Sequence, residues 1–380
     1  MKRRFFVLLT LTVFVFIITF ILGGCQFFAK PYIKIGVIIP ISGSVPAFGS
    51  SAENGCRMAV DEANASKGVI GMKVAMIVED DKETPEEGKN AALQLIDKDK
   101  VCAIVGTPLS KVALAVAPVC QDAKIPLVVS TATNNDITKI GDYIFRACFN
   151  NKFEGEVAAE FAKSDLKAST AAVIYDFNDA FASNLAECFK ESFEKLGGRV
   201  TSFVPHPTDP ITLVSYIDYI MKNKPDVIFC PDLYNEAALF AKEARASGFD
   251  GPLLGGDGWD STALISLAGS SINNSYFVDH FSIGDPRPEV QEFVKKYTEK
   301  FGEPPDVEAA MDYDAMNIVL KAIANANSTE GSALRDAIRN NIYDGVTGRI
   351  QFDKDGETVK DAVIIKIVNG QMHYLKTISP

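Results

Sequence analysis

The sequence predicts an α/β fold with two lobes, each a mainly parallel sheet with helices on both faces. Short apolar runs alternate with longer helical patterns from Ile33 onward, and the alternation starts again at Ala171. Near-continuous apolar runs are typical of parallel strands buried on both faces, and two series of strand-helix units predict two sheets. A chain of 380 residues, of which 47% are hydrophobic, is long enough for two domains.

The first series of units occupies the N-terminal part of the chain. A helix is predicted at 84–97, because Thr84 suits the cap position and Glu86 and Glu87 fall in the first turn. The predicted strands of this series are 33–39, 74–78, 101–105 and 126–129.

A less regular region follows the second series. The second series has predicted strands at 171–175, 200–204 and 227–230, and predicted helices at 213–221 and 237–246. Beyond it the pattern predicts a strand at 276–281, helices at 289–301, 307–326 and 332–340, and a hairpin of 362–368 and 372–376. Asn369-Gly370 favours a two-residue hairpin turn. An antiparallel hairpin after parallel units indicates that the chain crosses between lobes more than once.

The first 25 residues are typical of a secretory signal. Basic residues at 2–4 precede an apolar run at 5–22 and two glycines before Cys25. This end resembles a bacterial lipobox, which implies a signal peptide over 1–24, a lipid on Cys25 and a linker over 25–31. The alternative is an uncleaved anchor with one span, since the run approaches the minimum length of a membrane helix. Either way, the body is expected outside the cytoplasm.

Charge and cysteine usage exclude several functions. The formal net charge of −11 argues against a nucleic-acid-binding protein, which would present a basic face. Only the N-terminal run is apolar enough to enter a bilayer, so a multi-span transporter is excluded. The six cysteines beyond Cys25 include no C-x-x-C pair, which argues against zinc and thioredoxin-like sites. We expect buried free thiols, and a disulfide such as Cys102–Cys120 stays open.

No catalytic constellation is recognisable. The histidines His206, His280 and His373 lie far apart, and the motifs of metalloproteases, serine hydrolases and phosphate-binding loops are missing. Asp80-Asp81 and Asp312/Asp314 are candidate acid–base pairs, but charges at a strand end or on a helix face are the simpler interpretation. The sequence therefore predicts a protein that is not an enzyme, with no catalytic residue, metal or cofactor.

The loops at the strand ends carry residues suited to a small charged ligand. In open α/β sheets, ligands lie beyond the carboxyl ends of the strands. Ser110, predicted to cap the next helix, and the hydroxyls of Thr131 and Thr133 offer donors for a carboxylate. Asp257 is flanked by glycines that allow close backbone approach, and it could face a cation. Aromatic residues in these loops would supply apolar walls: Phe48, Tyr234 and Trp259.

Each of these residues also has a purely structural interpretation: Ser110 as a plain cap, Phe48 as core and Asp257 as a turn residue. Their occurrence at successive strand ends favours a joint function. Donors for a carboxylate, an acid for a cation and apolar walls together predict a zwitterionic ligand, which has a negative end, a positive end and an apolar body.

Several short segments occur in the order and spacing of a known family. They are Ile33-Lys34-Ile35-Gly36-Val37-Ile38-Ile39-Pro40 with Ser42-Gly43 and Phe48-Gly49, Phe145-Arg146-Ala147-Cys148-Phe149 with Phe153-Glu154-Gly155, Gly255-Gly256-Asp257-Gly258-Trp259-Asp260, Ala310 with Tyr313-Asp314, and Gly345-Val346-Thr347-Gly348. Together they resemble the leucine/isoleucine/valine-binding protein family, the type I solute-binding proteins of ABC importers. The likeness covers essentially the whole chain beyond the signal segment.

The resemblance implies a type I periplasmic-binding-protein fold with several inter-lobe crossovers. Residues 32–149 and 281–348 would form lobe 1, and 150–280 and 349–380 would form lobe 2. The lobes would close over an amino acid, branched-chain or otherwise apolar, and a monomer held by its lipid anchor would deliver it to an ABC permease and its ATPase. An amide- or urea-type ligand, another small polar solute, or a ligand-sensing receptor domain stay open as alternatives.

The family's binding residues fall on residues that the loops already offer. By resemblance, Ser110 bonds the ligand carboxylate, Thr131 and Thr133 hold both ends, and Asp257 pairs with the ligand ammonium. The aromatic residues that pack on the ligand would be Phe48 and Tyr234.

Two departures from the family pattern affect the second lobe. Ala180-Phe181 stands where relatives carry tyrosine and glycine, and Asn151 and Glu154 stand where an aspartate and a glutamine are common. These departures leave the side-chain preference open, whereas the residues for the charged ends are intact.

Cys25→Ala should release the protein from membranes or leave it as an uncleaved precursor, because the acylated thiol would be lost. Fractionation and mass measurement of the mutant check this. A mutant that stays in the membrane fraction at the wild-type processed mass would contradict the lipobox assignment.

Overall fold

A computed structural model describes residues 32–207 and 213–380. The predicted signal peptide, the lipidation site Cys25 and the linker over 25–31 lie outside the described residues. None of the helices in the described part of the chain has the length and apolar character needed to cross a membrane.

The first sheet has five parallel strands in the order β2-β1-β3-β4-β5. Their bounds are β1 Ile33–Ile39, β2 Val74–Asp80, β3 Ala103–Gly106, β4 Leu127–Val129 and β5 Ile144–Arg146. The helices between them are α1 Pro46–Ala65, α2 Pro85–Gln94, which continues into a π-helical turn over Leu95–Asp99, and α3 Ser110–Ala123. As predicted, Thr84 caps α2 and accepts a hydrogen bond from the Glu87 N–H (3.2 Å).

The second sheet has seven strands in the order β14-β13-β10-β9-β8-β6-β7. Its strands are β6 Thr170–Asp176, β7 Arg199–His206, β8 Val227–Phe229, β9 Leu253–Gly255, β10 Ser275–Asp279, β13 Ala362–Val368 and β14 Gln371–Ile378. Its helices are α4 Asn151–Ser164, α5 Ala180–Lys195, α6 Leu213–Lys222, α7 Tyr234–Ala246 and α8 Thr262–Ala268. β13 and β14 form the predicted antiparallel hairpin, and Asn369 and Gly370 at its turn both have positive φ.

Helices cover both faces of each sheet. On one face of the first sheet, apolar residues of α1 pack with three helices from later in the chain: α9 Pro288–Phe301, α10 Val307–Ala326 and α11 Gly331–Arg339. α2 and α3 cover its other face. In the second sheet, α4 and α5 lie on one face and α6 to α8 on the other. The predicted α/β class with two mainly parallel sheets is confirmed.

The chain passes between the two sheets three times. The passages lie between β5 and α4, between β10 and α9, and between a small hairpin and β13. The small hairpin pairs β11 Ile342–Gly345 with β12 Gly348–Gln351. The lobe ranges stay a prediction. The predicted boundary of lobe 1 between residues 348 and 349 falls inside β12. Ile350 and Phe352 pack in the core of the first sheet, so that lobe would extend beyond this boundary.

All six cysteines in the described ranges are free thiols. Five are buried and Cys188 is partly exposed. Burial raises the pKa of Cys102 to about 11 and that of Cys120 to about 12, which keeps both thiols protonated and unreactive at neutral pH. Their role is that of small apolar core residues.

Candidate ligand-binding site

A cavity lies between the two lobes at the carboxyl ends of their strands. The space between the lining residues, counted together with the part open to solvent, is about 340 Å³. The first lobe lines it with Phe48, Pro108, Leu109, Ser110, Thr131, Thr133 and Glu308, and the second with Asp179, Phe181, Leu233, Asp257 and Gly258. Five of the six predicted ligand-binding residues therefore meet at this cavity.

Ser110 lies in the first turn of α3 and does not cap it. Leu109 occupies the cap position, and no side chain bonds to the helix end, so the predicted capping role is wrong. The Ser110 hydroxyl instead accepts a hydrogen bond from the Asn134 N–H (3.2 Å) and so ties α3 to the loop after β4. The N-terminus of α3 still directs N–H groups and a partial positive charge toward this end of the cavity.

Thr133 brings a hydroxyl without a protein partner to the cavity. The residue is 0% exposed, and its Oγ1 bonds to no atom of the described chain. The backbone carbonyl of Thr133 accepts from the Asn151 N–H (2.8 Å) at the start of α4, which fixes the loop. A buried polar group is normally hydrogen-bonded, so this hydroxyl is suited to bond a ligand.

Glu308 is a cavity residue that the sequence analysis did not single out. It lies in the first turn of α10, is 4% exposed, and accepts a hydrogen bond from the Thr131 hydroxyl (2.7 Å). Burial raises the pKa of Glu308 well above its usual range. A signal was present in Val307-Glu308-Ala309-Ala310-Met311, where one acid interrupts an apolar stretch.

Asp257 begins a short 3₁₀ turn directly after β9 and is 7% exposed. Its Oδ2 lies 3.0 Å from His280 Nε2, and its N–H donates to Glu154 Oε1 (2.9 Å). Burial raises the pKa of Asp257 to about 8. Burial also lowers the pKa of His280 well below its usual value, so the ring is neutral and does not offset the charge of the carboxylate.

The aromatic residues divide between the cavity and the core. Phe48 lines the cavity and meets Tyr234 of the other lobe edge to face, with ring centroids 5.1 Å apart. Tyr234 does not line the cavity; the preceding residue, Leu233, does. The prediction that Trp259 forms a wall is wrong: its 3₁₀ turn directs the side chain into the second lobe, where it packs near Phe277 and is fully buried.

The departures from the family pattern lie at this site. Phe181 lines the cavity, and the Asn151 side-chain amide donates to the Phe181 carbonyl (3.2 Å). Glu154 is fully buried beneath Asp257, and a Cβ on Gly256 would lie 2.4 Å from Glu154 Oε1. Gly256 therefore allows the Asp257 loop to approach α4 closely.

Arg146 supports the loop that carries Thr131 and Thr133. Its buried guanidinium donates to the carbonyls of Asn134 (2.6 Å) and Ala132 (3.4 Å) and forms an ion pair with Glu357. Arg146 lies at the first passage between the sheets and Glu357 at the third, so one ion pair connects two passages to the binding loop. In the sequence, Arg146 is distinguished only as part of the segment Phe145-Arg146-Ala147-Cys148-Phe149 that resembles the family.

The candidate acid–base pairs have structural roles. Asp80 accepts hydrogen bonds from the N–H groups of Ile41 and Ser42 at the end of β1 (3.0 and 3.2 Å). Asp314 accepts from the Thr347 N–H and hydroxyl (2.9 and 2.6 Å) and so fixes the turn between β11 and β12. Neither carboxylate lines the cavity.

Comparison with known proteins agrees with this geometry. The family model described as periplasmic binding protein matches residues 32–371. This chain belongs to that family. It is 28% identical over 336 residues to the Leu/Ile/Val-binding protein homolog 3 of Brucella melitensis, covering 86% of this chain and 88% of that protein.

Solved structures confirm the two-lobed fold. The leucine binding protein LivK of Thermotoga maritima is 32% identical with a TM-score of 0.87, covering 92% of this periplasmic binding protein and 99% of that chain. The branched-chain amino acid transporter substrate binding protein LivJ of Streptococcus pneumoniae, in complex with isoleucine, is 28% identical with a TM-score of 0.87, covering 92% and 100%. The fold predicted from the sequence is therefore confirmed.

Thr133→Val should leave the free energy of unfolding of the unliganded protein unchanged or raise it by up to about 1 kcal/mol, because it replaces a buried hydroxyl without a partner by a methyl group. Thr131→Val is the matched contrast. It removes the donor to Glu308 and should lower the free energy of unfolding by about 1–3 kcal/mol.

Denaturant unfolding of both variants without ligand measures the difference. Equal destabilisation by the two substitutions would mean that the Thr133 hydroxyl has a partner within the protein.

Proposed function

We propose that this protein captures a free amino acid between its two lobes and delivers it to an ABC importer outside the cytoplasm. The observation that carries the proposal is one cavity lined by hydroxyl groups of the first lobe and by the buried Asp257 carboxyl of the second. Ser110 and Thr133 lie on the first lobe, and Asp257 lies on the second. An α-amino acid carries the two complementary charges on neighbouring atoms.

The carboxylate end depends on the first lobe. The hydroxyls of Ser110 and Thr133, with the N-terminal amides of α3, offer hydrogen bonds to a ligand carboxylate. Hydrogen bonds to a charged group contribute about 1.5–3 kcal/mol each. The loop is held by Arg146, so these donors are positioned before the ligand arrives.

The ammonium end depends on the second lobe. Asp257 is the acid that by family resemblance pairs with the ligand amine, and its burial makes an unpaired negative charge costly. A ligand ammonium would supply the missing opposite charge. A neutral amide would not, which favours the zwitterion over an amide- or urea-type ligand.

The side-chain wall favours an apolar amino acid. Phe48, Leu109, Phe181 and Leu233 surround the remaining part of the cavity, and a branched-chain side chain would bury its surface against them. The named relatives, whose names refer to leucine, isoleucine and valine, support this class.

The lobes meet at the mouth of the cavity. Phe48 packs on Tyr234, and the Asn134 side-chain amide donates to the Ala180 carbonyl of the other lobe (2.8 Å). A ligand that bonds both lobes stabilises this closed arrangement by its differential affinity for it. The closed monomer, held at the membrane by a lipid on Cys25, would be the form that the permease and ATPase subunits recognise.

Asp257→Asn should reduce amino-acid affinity roughly 30-fold or more, because the ligand ammonium would be buried without its partner, a change that costs about 2–5 kcal/mol. Calorimetric titration of the full-length protein in detergent measures this after a thermal-shift panel of amino acids, amides and benzoate. A ligand at about 100 times its Kd should add about 2.7 kcal/mol of stability.

Asp226→Asn is the control, since Asp226 bonds the Ser169 and Thr170 amides at the opposite end of the second sheet. It should leave the affinity unchanged. Affinity of Asp257→Asn within about threefold of wild type, or a panel in which no amino acid shifts the melting temperature, would contradict the proposal.

A further inference from the structure

We propose that Glu308 is a second carboxylate for the ligand ammonium, so that the ammonium bridges acids on opposite lobes and a protonated amine is required for closure. This inference rests on the proposed function and names the chemical group that selects the ligand. Glu308 would thus determine specificity for amino acids over 2-hydroxy acids and other simple carboxylates.

The first support is position. Glu308 reaches the cavity from α10 on the first lobe, and Asp257 reaches it from the turn after β9 on the second. Thr131 and Glu308 are joined by a hydrogen bond, so a residue of the binding loop orients the Glu308 carboxylate. A carboxylate accepts through about four lone pairs, and the Thr131 hydroxyl uses only one of them.

The second support is the charge around the two acids. No lysine or arginine belongs to the described residues that line the cavity. The charged groups acting on Glu308 are Asp306, Asp312 and Asp257. Around Asp257 lie Glu154 and Asp260, together with the neutral ring of His280.

The buried cations among the described residues, Arg146 and Lys360, bond other groups. Arg146 pairs with Glu357, and Lys360 donates to Thr347 Oγ1 (2.7 Å). The positive charges of Arg146 and Lys360 also disfavour the protonated form of the His280 ring. Among the described residues, no lysine or arginine that lines the cavity is available to pair with Glu308 or Asp257, so a ligand cation would take the place of the protons that burial favours on them.

The third support is independent of the acids. Thr133 Oγ1 is fully buried, lines the same cavity and has no hydrogen-bond partner in the described chain. It indicates that a polar ligand completes this site. Thr133 and Glu308 both belong to the first lobe, so a ligand that bonds Thr133 also comes close to Glu308.

The ammonium has the chemistry that this arrangement requires. It carries three N–H donors and a positive charge, so it can bond both carboxylates at once. Two ionised acids facing each other across the cleft repel, and a cation between them reverses the sign of that interaction. A hydroxyl group has one donor and no charge, so a 2-hydroxy acid would leave the two carboxylates facing each other.

Glu308→Gln tests this assignment because the glutamine keeps an oxygen that can accept from Thr131. L-leucine, L-isoleucine and L-valine, each with its 2-hydroxy analogue, are titrated calorimetrically into the full-length protein in detergent. We expect wild type to prefer the amino acids at least 100-fold. Glu308→Gln should weaken amino-acid binding tenfold or more and leave the 2-hydroxy acids unchanged or bound more tightly.

Asp226→Asn is again the control. Asp226 lies at the opposite end of the second sheet and does not line the cavity, so its substitution should leave the affinity for both ligand classes unchanged. Amino-acid affinity of Glu308→Gln within threefold of wild type, or an equal loss for both ligand classes, would overturn the role of Glu308 and leave the proposed function standing. Wild-type protein that binds none of the amino acids would overturn both.

Discussion

Asp257 and Glu308 line one cavity from opposite lobes, and no lysine or arginine among the described lining residues offsets their charge. Water cannot stabilise them as it would at the surface, because both are almost completely buried. Burial raises both pKa values, that of Asp257 to about 8, so the Asp257 carboxyl is mostly protonated at neutral pH when no ligand is bound. Capture of a protonated amine then combines charge pairing with proton release, and the same contact joins the lobes.

The first lobe supplies hydroxyl groups to the cavity, and no lysine or arginine is among the described residues that line it. Arg146 contacts the loop that carries Thr131 and Thr133, and its guanidinium bonds backbone carbonyls of that loop and Glu357. It therefore orders Thr131 and Thr133 without competing for the ligand. Because Glu357 lies at another passage between the lobes, one partly buried ion pair joins the order of the loop to the connection between the lobes.

Much of this architecture could be predicted from the sequence. The long apolar strands and the terminal hairpin have patterns that burial and turn chemistry determine, and Ser110, Thr133 and Asp257 follow strand ends, where α/β proteins bind ligands. β5 and β9 were not predicted, because β5 ends in the charged Arg146 and β9 runs into glycines, so neither shows the continuous apolar run that predicted the equally short β4 and β8. The strand predicted at 276–281 ends at Asp279, so His280 lies in the passage to α9 beside Asp257.

Other features of the site depend on tertiary contacts. Glu308 interrupts an apolar stretch of the sequence, but only the contact between α10 and the Thr131 loop places it at the site. Trp259 was assigned to the wall because its neighbour Asp257 is at the site, but one 3₁₀ turn sends consecutive side chains in different directions. Ser110 has the residue type of a cap, yet the chain bends one residue earlier at Leu109.

The number of protons released on binding shows whether a ligand ammonium replaces protons at Asp257 and Glu308. Calorimetric titration of an amino acid at pH 7 in buffers of different ionisation enthalpy gives this number. Because the pKa of Asp257 is about 8 without ligand and an ammonium would lower it, we expect release of about one proton or more. The release should decline, and the affinity should level off, as the pH rises above 8. Binding at pH 7 with no proton released, or with protons taken up, would mean that the ammonium does not pair with these carboxylates.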